Sequence, residues 1–365
     1  MDEKIKRIEK WAKGKQVGPF LIEVWPTNRC NLRCWMCGTW AHRRRLKESG
    51  IEYNPRNEMQ LEVKEERLLK LVEEAHELDA KEFLITGGGE PFVRKETTLK
   101  LMKKIKDFNM AGNLNTNGTL LSERDIKKIV QMGWDRIMFS IDAPNSRDND
   151  FIRGVKGTFK KAKTTLKLFK QYKKRFSSEK PHIVFNTVLT NKIFDKIKEM
   201  IVFASEVGCE DVTFIPLIIY DDSVKILEMN EEQNKIFQAN LDEAIELSLQ
   251  IGVNTNLFHL KKSSEDVIMP SVETKTQKNL PPCFEPFLHF LVKGNGEATF
   301  CCMVEGSPEN IKEKSLSEIW FGEYFEEERK NFVEKKIREE CKFCVFTQSI
   351  RNREIGEKLL EFKVF

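Results

Sequence analysis

The chain has 365 residues, of which 40% are hydrophobic and 32% are charged, and its 61 basic and 57 acidic side chains leave a net charge of +4. This length has room for about two domains, and the near balance of charge argues against a dedicated nucleic-acid-binding protein, which carries a strongly basic surface. Because no apolar run approaches the ~18 residues of a membrane-spanning helix and the charged N-terminus contains no secretory signal, we predict a cytoplasmic protein without a membrane partner.

Strands and helices are predicted in regular alternation from residue 20 to residue 217. Short β-rich apolar runs predict strands at 20–25, 82–86, 112–116, 136–141, 183–189 and 211–217. Helical spacing of apolar residues predicts helices at 61–78, 95–109, 122–133, 157–176 and 194–207, the third with Ser122 as its N-cap. This succession of βα units predicts a parallel sheet covered by helices, and the spacing favours a partial (β/α)6 barrel over a doubly wound sheet. In such a barrel the catalytic residues lie at the carboxyl ends of the strands.

A change in composition after Gly252 predicts a second, smaller domain. Residues 253–282 are polar and end in two prolines, which indicates a linker. Two apolar runs at 287–292 and 298–302 flank a Gly-Asn-Gly turn and predict a β-hairpin. We therefore divide the chain into an N-terminal extension at 1–20, a barrel at 21–252, a linker at 253–282 and a small cysteine-bearing domain at 283–365.

The chain contains nine cysteines, an odd number without an export signal, which points to metal-binding or catalytic thiols rather than disulfides. Cys30, Cys34 and Cys37 lie in the loop after the first predicted strand with C-x3-C-x2-C spacing. Three thiolates in a short loop can hold three corners of a [4Fe–4S] cluster and leave one iron open, whereas four cysteines are usual. The alternative is a zinc site, for which His42 would supply the fourth ligand.

The cysteine loop and four later segments resemble the radical S-adenosylmethionine (radical SAM) superfamily. Residues 30–37, CNLRCWMC, are similar to the signature of the superfamily, and residues 87–91, GGGEP, are similar to its GGE motif. The segments TNG at 116–118 and SID at 140–142 follow the third and fourth predicted strands, where relatives carry matching segments. Residues 153–159, RGVKGTF, resemble a further common segment. These landmarks stand in the order of the family, so the resemblance covers most of the chain.

This resemblance implies the cofactors and their binding residues. Cys30, Cys34 and Cys37 would hold a [4Fe–4S] cluster whose open iron chelates S-adenosylmethionine, and an external one-electron donor such as ferredoxin or flavodoxin would reduce it. Reductive cleavage of S-adenosylmethionine would give a 5′-deoxyadenosyl radical that abstracts a hydrogen atom from the substrate. The residues implied for S-adenosylmethionine binding are Gly88, Gly89, Glu90, Ser140, Asp142 and Arg153.

The C-terminal cysteines are similar in spacing to the auxiliary-cluster region of the SPASM and twitch subgroup of this superfamily, and the matching positions are Cys283, Cys301, Cys341 and Cys344. Because no cysteine follows Cys344, the pattern is closer to the one-cluster twitch domain than to a full SPASM domain. The resemblance implies a second, auxiliary [4Fe–4S] cluster, and the alternative is a closed zinc site. Cys302 adjoins Cys301, and the spacing from the preceding turn glycine favours Cys301.

The resemblance also implies an activity. We predict a radical SAM enzyme that oxidises a small molecule, such as an alcohol on a sugar or cyclitol, with the auxiliary cluster as electron acceptor. Only about 20 residues precede the first predicted strand, where peptide-processing relatives often carry a recognition domain, and this favours a small-molecule substrate. The alternatives are a peptide or protein side-chain maturase of the SPASM subgroup and a non-catalytic electron-relay protein.

Two further sets of polar residues are of interest. Tyr220 and Asp221, after the sixth predicted strand, and Glu285, beside Cys283, are candidates for the catalytic residues. The three consecutive arginines at 43–45 are expected to lie in a solvated loop, with phosphate binding as the alternative.

Overall fold

The computed structural model describes residues 2–50, 53–219, 221–261, 282–336 and 338–361 of the chain. Within these ranges the strands are β1 Leu21–Val24, β2 Glu82–Ile85, β3 Ala111–Thr116, β4 Arg136–Ser140, β5 His182–Leu189, β6 Asp211–Pro216, β7 Asn254–Thr255, β8 His289–Val292 and β9 Ala298–Thr299. The α-helices of the same ranges are α1 Asp2–Ala12, α2 Gly38–Glu48, α3 Pro55–Leu61, α4 Glu65–Glu77, α5 Lys95–Asp107, α6 Glu123–Gln131, α7 Ser146–Arg153, α8 Thr158–Arg175, α9 Ile197–Val207, α10 Glu231–Ala239, α11 Leu241–Ile251, α12 Glu285–Leu288, α13 Leu316–Trp320, α14 Glu323–Val333 and α15 Phe346–Glu361. None of these helices is both long and apolar enough to cross a membrane.

The first of two compact units comprises Met1–Arg29, Pro55–Gly112 and Lys275–Phe365. Its strand order is β2-β1-β8-β9, in which β1 pairs in parallel with β2 and β8, and β9 is antiparallel to β8. Every residue of β1 and β8 is buried, as in strands covered on both faces. Helices α1, α12 and α15 contribute to one apolar core with the start of β1, and its buried members are Ile5, Ile8, Phe20, Leu21, Phe284, Phe287, Leu288, Ile355 and Leu359.

The second compact unit comprises Cys30–Asn54 and Asn113–Thr274. Its strand order is β7-β6-β5-β4-β3, and every pair is parallel. Helices α6, α8, α9 and α11 form a layer in which each helix contacts the next. Parallel strands that alternate with covering helices confirm the predicted α/β class and partial β/α barrel.

The predicted helix at 61–78 is two helices in the structure. Helix α3 ends at Leu61, whose side chain is 55% exposed, and α4 begins after Lys64, which has the extended backbone of an N-cap residue. The buried positions of α4 start only at Leu68. Leu61 therefore fits the apolar period by coincidence, because it does not share the buried face of the helix that follows.

The predicted C-terminal hairpin is present but shorter than the two apolar runs. Strands β8 and β9 pair with Leu291 opposite Thr299. Residues 285–288 form the short helix α12 instead of a strand, with Pro286 in its first turn, where the missing N–H of proline is tolerated. Strand β8 also joins β1, so the hairpin extends the sheet of the first unit.

The two compact units divide the chain differently from the four predicted segments, because β1, β2 and the C-terminal cysteine-bearing segment fall in one unit. Residues 2–12 of the predicted N-terminal extension form α1, which contributes Ile5 and Ile8 to the core. Most of the predicted linker, at 262–281, lies outside the described residues. The predicted domain boundaries therefore stay predictions.

Candidate cluster and cofactor sites

The three N-terminal cysteines lie together in the loop between β1 and α2. Cys34 is buried, and Cys30 and Cys37 are half-buried. The loop folds on itself, since the Cys37 N–H donates to the Cys34 carbonyl at 3.3 Å and the Leu32 N–H donates to Cys30 Sγ at 3.4 Å. Burial raises the pKa of the Cys34 thiol to about 12, and the charges of Cys37 and Cys30 add to the rise. Three soft thiols on one tight loop are a donor set that fits an iron–sulfur cluster.

Helix α7 holds this loop from the side, and the sequence analysis did not predict that helix. The Arg33 N–H donates to the Arg153 carbonyl at 3.2 Å, and the Trp35 N–H donates to the Ile152 carbonyl at 3.0 Å. Gly154 follows with φ of +68°, and a Cβ there would collide with the Arg33 carbonyl. Only glycine fits this close left-handed turn. The signals that predict α7 are the N-cap Asn145 and this C-cap glycine.

Asp142 and Arg153 form a buried ion pair beside the cysteine loop. Arg153 Nε lies 2.6 Å from Asp142 Oδ2, and Arg153 Nη1 donates to Cys34 Sγ at 3.8 Å. The second Asp142 oxygen accepts from the Val188 N–H at 2.9 Å. Burial opposes the charge on the guanidinium, but Asp142 and Cys34 outweigh it and raise the pKa of Arg153. Each member of the pair therefore already has partners within the protein, and their predicted contacts to S-adenosylmethionine stay predictions.

Polar residues after β3 contact the cysteine loop, and Ser140 at the end of β4 contacts β3. The Asn117 side chain donates to Asn31 Oδ1 at 3.0 Å, and the Asn31 side chain donates to Thr119 Oγ1 at 2.8 Å. Ser140, half-buried at the end of β4, donates to Asn115 Oδ1 at 3.4 Å. The second unit thus places Ser140 and the TNG segment at the carboxyl ends of neighbouring parallel strands, as the barrel predicts.

The glycine-rich segment of the first unit lies against residues 28–29. A Cβ on Gly89 would collide with the Arg29 carbonyl, and the Glu90 N–H donates to that same carbonyl at 2.9 Å. Glu90 is 3% exposed, and its carboxylate accepts from the Phe92 N–H at 3.1 Å as an N-cap. Gly89 therefore allows a close approach of its backbone to the Arg29 carbonyl, a group of the protein itself. The predicted ligand contacts of Gly88, Gly89 and Glu90 stay predictions.

The four C-terminal cysteines belong to the first unit, where Cys301 interacts electrostatically with Cys283 and with Cys341, and Cys283 interacts with Cys344. Burial and the nearby Glu285 raise the pKa of Cys283, and Cys301 and Cys344 add to the rise. Burial and Cys301 likewise raise the pKa of Cys341, and the Cys344 N–H donates to the Cys341 carbonyl at 3.0 Å. Within the described ranges, no three His, Cys, Asp or Glu side chains lie in the arrangement of a metal site. Four thiols are, by their chemistry, the donor set of a fully ligated [4Fe–4S] cluster, and their joint ligation of one cluster stays a prediction.

The predicted catalytic residues have structural partners where they are described. Asp221 caps the 3-10 helix at Asp222–Leu227 and accepts from the Ser223 N–H at 2.9 Å and from the Ser223 hydroxyl at 2.6 Å. Tyr220 lies outside the described residues. Catalytic roles for Tyr220, Asp221 and Glu285 stay predictions.

Glu285 belongs to a buried charged network that the sequence analysis missed. Its carboxylate accepts from Arg351 and from Asn352, and its second oxygen lies 3.1 Å from His289 Nδ1. His289 Nε2 lies 3.1 Å from Glu23 Oε2. Burial alone would lower the pKa of His289, but the hydrogen bonds and charges of Glu23 and Glu285 raise it to about 9. Burial alone would raise the pKa of Glu285, but Arg351 and His289 lower it. We therefore expect Glu285 to be ionised.

The expectation of a solvated loop at 43–45 is wrong for Arg43. This segment lies within α2, and Arg43 is 4% exposed. Its guanidinium lies 3.8 Å from the ring centroid of Tyr53 and 4.9 Å from that of Trp40. The aromatic rings can bury this cation because cation–π contact replaces part of its hydration.

Comparison with protein families gives two matches. The model described as the Radical SAM superfamily matches residues 24–204, and the SPASM model, described as an iron–sulfur cluster-binding domain, matches residues 283–345. The first match contains the cysteine loop, and the second contains the four predicted C-terminal ligands Cys283, Cys301, Cys341 and Cys344.

Two relatives align over most of this chain. One is a tungsten-containing aldehyde ferredoxin oxidoreductase cofactor-modifying protein of Pyrococcus furiosus, 24% identical over 353 residues, with 88% of each chain covered. Another is an AdoMet-dependent heme synthase of Methanosarcina barkeri, 23% identical, with 90% of this chain and 89% of the relative covered. Among solved structures, Streptococcus suis SuiB bound to S-adenosylmethionine has the same fold, with a TM-score of 0.64, 16% identity and coverage of 89% of this chain and 71% of SuiB.

Proposed function

Because this chain belongs to the radical SAM superfamily and carries a SPASM iron–sulfur domain, we propose that it oxidises a small organic molecule in a radical reaction. Its cofactors are a [4Fe–4S] cluster, S-adenosylmethionine and an auxiliary iron–sulfur group. When bound and reduced, the first cluster cleaves S-adenosylmethionine and supplies a 5′-deoxyadenosyl radical that removes one hydrogen atom from the substrate. The electron for this cleavage comes from an external donor of the ferredoxin or flavodoxin class.

The observation that carries this proposal is that the iron–sulfur cluster-binding SPASM match at residues 283–345 contains four cysteines, Cys283, Cys301, Cys341 and Cys344. Four thiolates would complete the coordination of one auxiliary [4Fe–4S] cluster and leave no iron open to a substrate, and such a cluster would supply electron transfer. After a hydrogen atom has left a carbon that bears a hydroxyl group, a base would take the hydroxyl proton and the group held by these four cysteines would accept one electron. The alcohol thereby becomes a carbonyl group.

For the first site we assign Cys30, Cys34 and Cys37 as the residues that would hold the cluster. Around S-adenosylmethionine we assign Glu90 to the amino group and Ser140 to the ribose, whereas Asp142 fixes the guanidinium of Arg153 against the Cys34 thiolate. The remaining assigned contacts are those of the backbone at Gly88 and Gly89.

The names of the aligned relatives support a small-molecule or cofactor substrate. Of the two relatives described above, one is by name a protein that modifies a tungsten-enzyme cofactor and the other is a synthase of the cofactor heme. The peptide-maturase alternative is favoured by one observation, since the SuiB fold is also known in complex with its precursor peptide SuiA. The two functions are distinguished by supplying this enzyme with S-adenosylmethionine, a reductant and each substrate class. We expect one 5′-deoxyadenosine per molecule that loses two hydrogens, and a peptide product would contradict the proposal.

The number of clusters is directly measurable. We expect about seven to eight irons per anaerobically reconstituted chain, because three and four cysteines form separate four-iron sites. Replacing Cys30, Cys34 and Cys37 together by Ala should leave about four irons. Iron near four in the unaltered protein, accompanied by stoichiometric zinc, would contradict the auxiliary cluster.

Arg153 is expected to raise the reduction potential of the first cluster. Its N–H donates to Cys34 Sγ, and hydrogen bonds to ligand sulfurs stabilise the more negative, reduced state of a cluster. We expect Arg153→Gln to lower the midpoint potential by roughly 40 mV, which corresponds to about 1 kcal/mol for one electron. An anaerobic redox titration followed by EPR measures this shift. The control is Arg147→Gln on the same helix, where the side chain is 83% exposed. Equal potentials in the two variants would contradict the assignment.

A further inference from the structure

A cavity of about 660 Å³ lies in the second unit, beside the loop of the first cluster. Its wall includes Trp35, which lies between Cys34 and Cys37, and Gly154, which follows Arg153. A volume of this size is within the range of small-molecule sites, about 300–1,000 Å³. The roles assigned above to the cysteines and to the S-adenosylmethionine residues do not use this cavity.

The chemistry of the lining is cationic and aromatic. Four cations line the cavity, namely Arg33, Arg43, Arg44 and Lys47. Three aromatic rings lie among them, namely Trp35, Trp40 and Tyr53. Among the described residues of this lining there is no acidic side chain. Such a surface attracts a ligand with several negative charges.

The cations and rings alternate in space, so that flat surfaces and positive charges are presented together. Arg43 lies between Tyr53 and Trp40, with its guanidinium 3.8 and 4.9 Å from the two ring centroids. The Arg44 guanidinium lies 5.1 Å from the Trp35 ring. The Trp40 and Tyr53 centroids are 6.1 Å apart with an interplanar angle of 62°. Planar guanidinium and aromatic groups stack on planar ligands, and guanidinium pairs in bidentate fashion with carboxylate or phosphate.

Two of the cations are held in place, whereas two are at the rim. Arg44 donates to the Trp35 carbonyl at 2.9 Å and to Ser223 Oγ at 3.0 Å, and Arg43 is buried by its rings. Arg33 and Lys47 are exposed. The indole N–H of Trp40 is buried and has no hydrogen-bond partner within the described part of the chain. The cavity therefore has fixed cations, Arg43 and Arg44, at its inner end and exposed cations, Arg33 and Lys47, at its rim. This arrangement suits a flat ligand whose acidic groups lie on its edge.

We propose that this cavity binds the substrate, and that the substrate is a planar aromatic molecule with at least two acidic groups. This inference rests on the proposed function, since it names the substrate class of the same reaction. The rings supply the stacking surface, and the cations of the lining pair with the acidic groups. A neutral molecule or an extended peptide would bring no negative charge to the exposed Arg33 and Lys47.

Three probes separate shape from charge. Coproporphyrin III is planar and carries four carboxylates, its tetramethyl ester has the same ring system without the charge, and citrate has the charge without the plane. We expect the reconstituted protein to bind coproporphyrin III, read by the shift of its visible absorption and by quenching of tryptophan fluorescence. We expect at least tenfold weaker binding of both comparison probes. Equal binding of the ester would overturn the charge requirement, and equal binding of citrate would overturn the planar requirement.

Substitutions at the rim of the cavity test whether the probe binds there. The double variant Arg33→Gln with Lys47→Gln removes two exposed charges and is expected to fold, and it should bind coproporphyrin III about tenfold more weakly. The control is Lys167→Gln, an exposed lysine of α8 in the same unit, which should change the affinity less than twofold. Arg43→Gln tests the buried end and should weaken binding further. Unchanged affinity in both the rim and the Arg43 variants would overturn the site.

The same samples distinguish a failure of this inference from a failure of the proposed function. Dithionite-reduced protein with S-adenosylmethionine should release 5′-deoxyadenosine. If the unaltered protein releases it but binds none of the three probes, the substrate class is wrong and the radical reaction stands. If it binds coproporphyrin III through the rim cations but cleaves no S-adenosylmethionine, the proposed function is wrong.

Discussion

Replacing His289 by Ala is expected to lower the free energy of unfolding by about 3–5 kcal/mol. The imidazole is 2% exposed and lies 3.1 Å from a carboxylate oxygen on each side, those of Glu23 and Glu285. Truncation leaves two buried carboxylates facing each other across a cavity, and the nearby cation Arg351, which pairs with Glu285, offsets only part of their charge. Urea-induced unfolding of the anaerobically handled protein, followed by circular dichroism, measures the loss.

The matched control for this variant is His182→Ala. His182 also lies beside a carboxylate, with Nε2 at 2.7 Å from Asp211 Oδ2, but its side chain is 41% exposed. Water screens this pair, so we expect a loss of at most about 1 kcal/mol. Equal losses at the two positions would show that burial of the charged network adds nothing to the stability of the first unit.

The network also gives the stability a defined pH dependence. The pKa of His289 is about 9 in the folded chain and near 6.5 in an unfolded one. The folded state therefore binds the proton more tightly, and this contribution is complete below about pH 6.5 and is lost as the pH rises through about 9. We expect the urea midpoint of the unaltered protein to fall between pH 7 and pH 10 by more than that of the His289→Ala variant.

The repeated elements of the barrel were predictable from the sequence because each is defined by its own residues. Strand β4 at Arg136–Ser140 and strand β6 at Asp211–Pro216 end within one residue of their predicted ends. Ser122 caps α6 as predicted, with the reciprocal hydrogen bonds of a capping box to Asp125. In these elements the spacing of apolar residues, the turn residues and the helix cap all indicate the same boundaries, so the local sequence is sufficient to predict the structure.

Short polar helices escaped the sequence analysis because their stabilisation is not periodic. Helix α7 has eight residues and is defined by its two caps and by the cysteine loop that its last carbonyl groups accept from. Helix α2 contains three consecutive arginines, and Arg43 among them is buried against the rings of Trp40 and Tyr53. Such helices cannot be predicted from the spacing of apolar residues, because the faces that they bury contact a loop or an aromatic ring and not an apolar core.

Contacts between distant parts of the chain could not be predicted either. Strand β8 pairs with β1 although Leu21 and His289 are 268 positions apart. That pairing places His289 beside Glu23, and α15 adds Arg351 to the same network. Taken singly, Glu, His and Arg are residue types that usually lie at the protein surface. Their burial follows from the topology of the first unit, which no local pattern contains.

Replacing Cys341 and Cys344 together by Ala is expected to abolish the oxidised product while S-adenosylmethionine cleavage remains detectable. Both thiols belong to the donor set that we propose for the auxiliary cluster, and the proposed reaction needs an acceptor for the second electron. Without that acceptor the substrate radical is quenched by solvent or reductant, so 5′-deoxyadenosine accumulates without an equivalent of product. Mass spectrometry of both molecules, with iron analysis of the same sample, measures the uncoupling.

The comparison variant for this experiment is Cys302→Ala. Cys302 is half-buried beside Cys301, and we assign the ligand role to Cys301 because of its spacing from the preceding turn glycine, Gly296. Cys302→Ala should therefore keep about eight irons and full coupling between cleavage and product. Loss of the auxiliary iron in this variant would reassign the ligand to Cys302.

Two results would contradict the proposed electron transfer. Full product formation by the Cys341 and Cys344 double variant, in protein shown to lack the second cluster, would refute electron transfer through this site. Regeneration of S-adenosylmethionine during turnover would indicate isomerisation instead of oxidation.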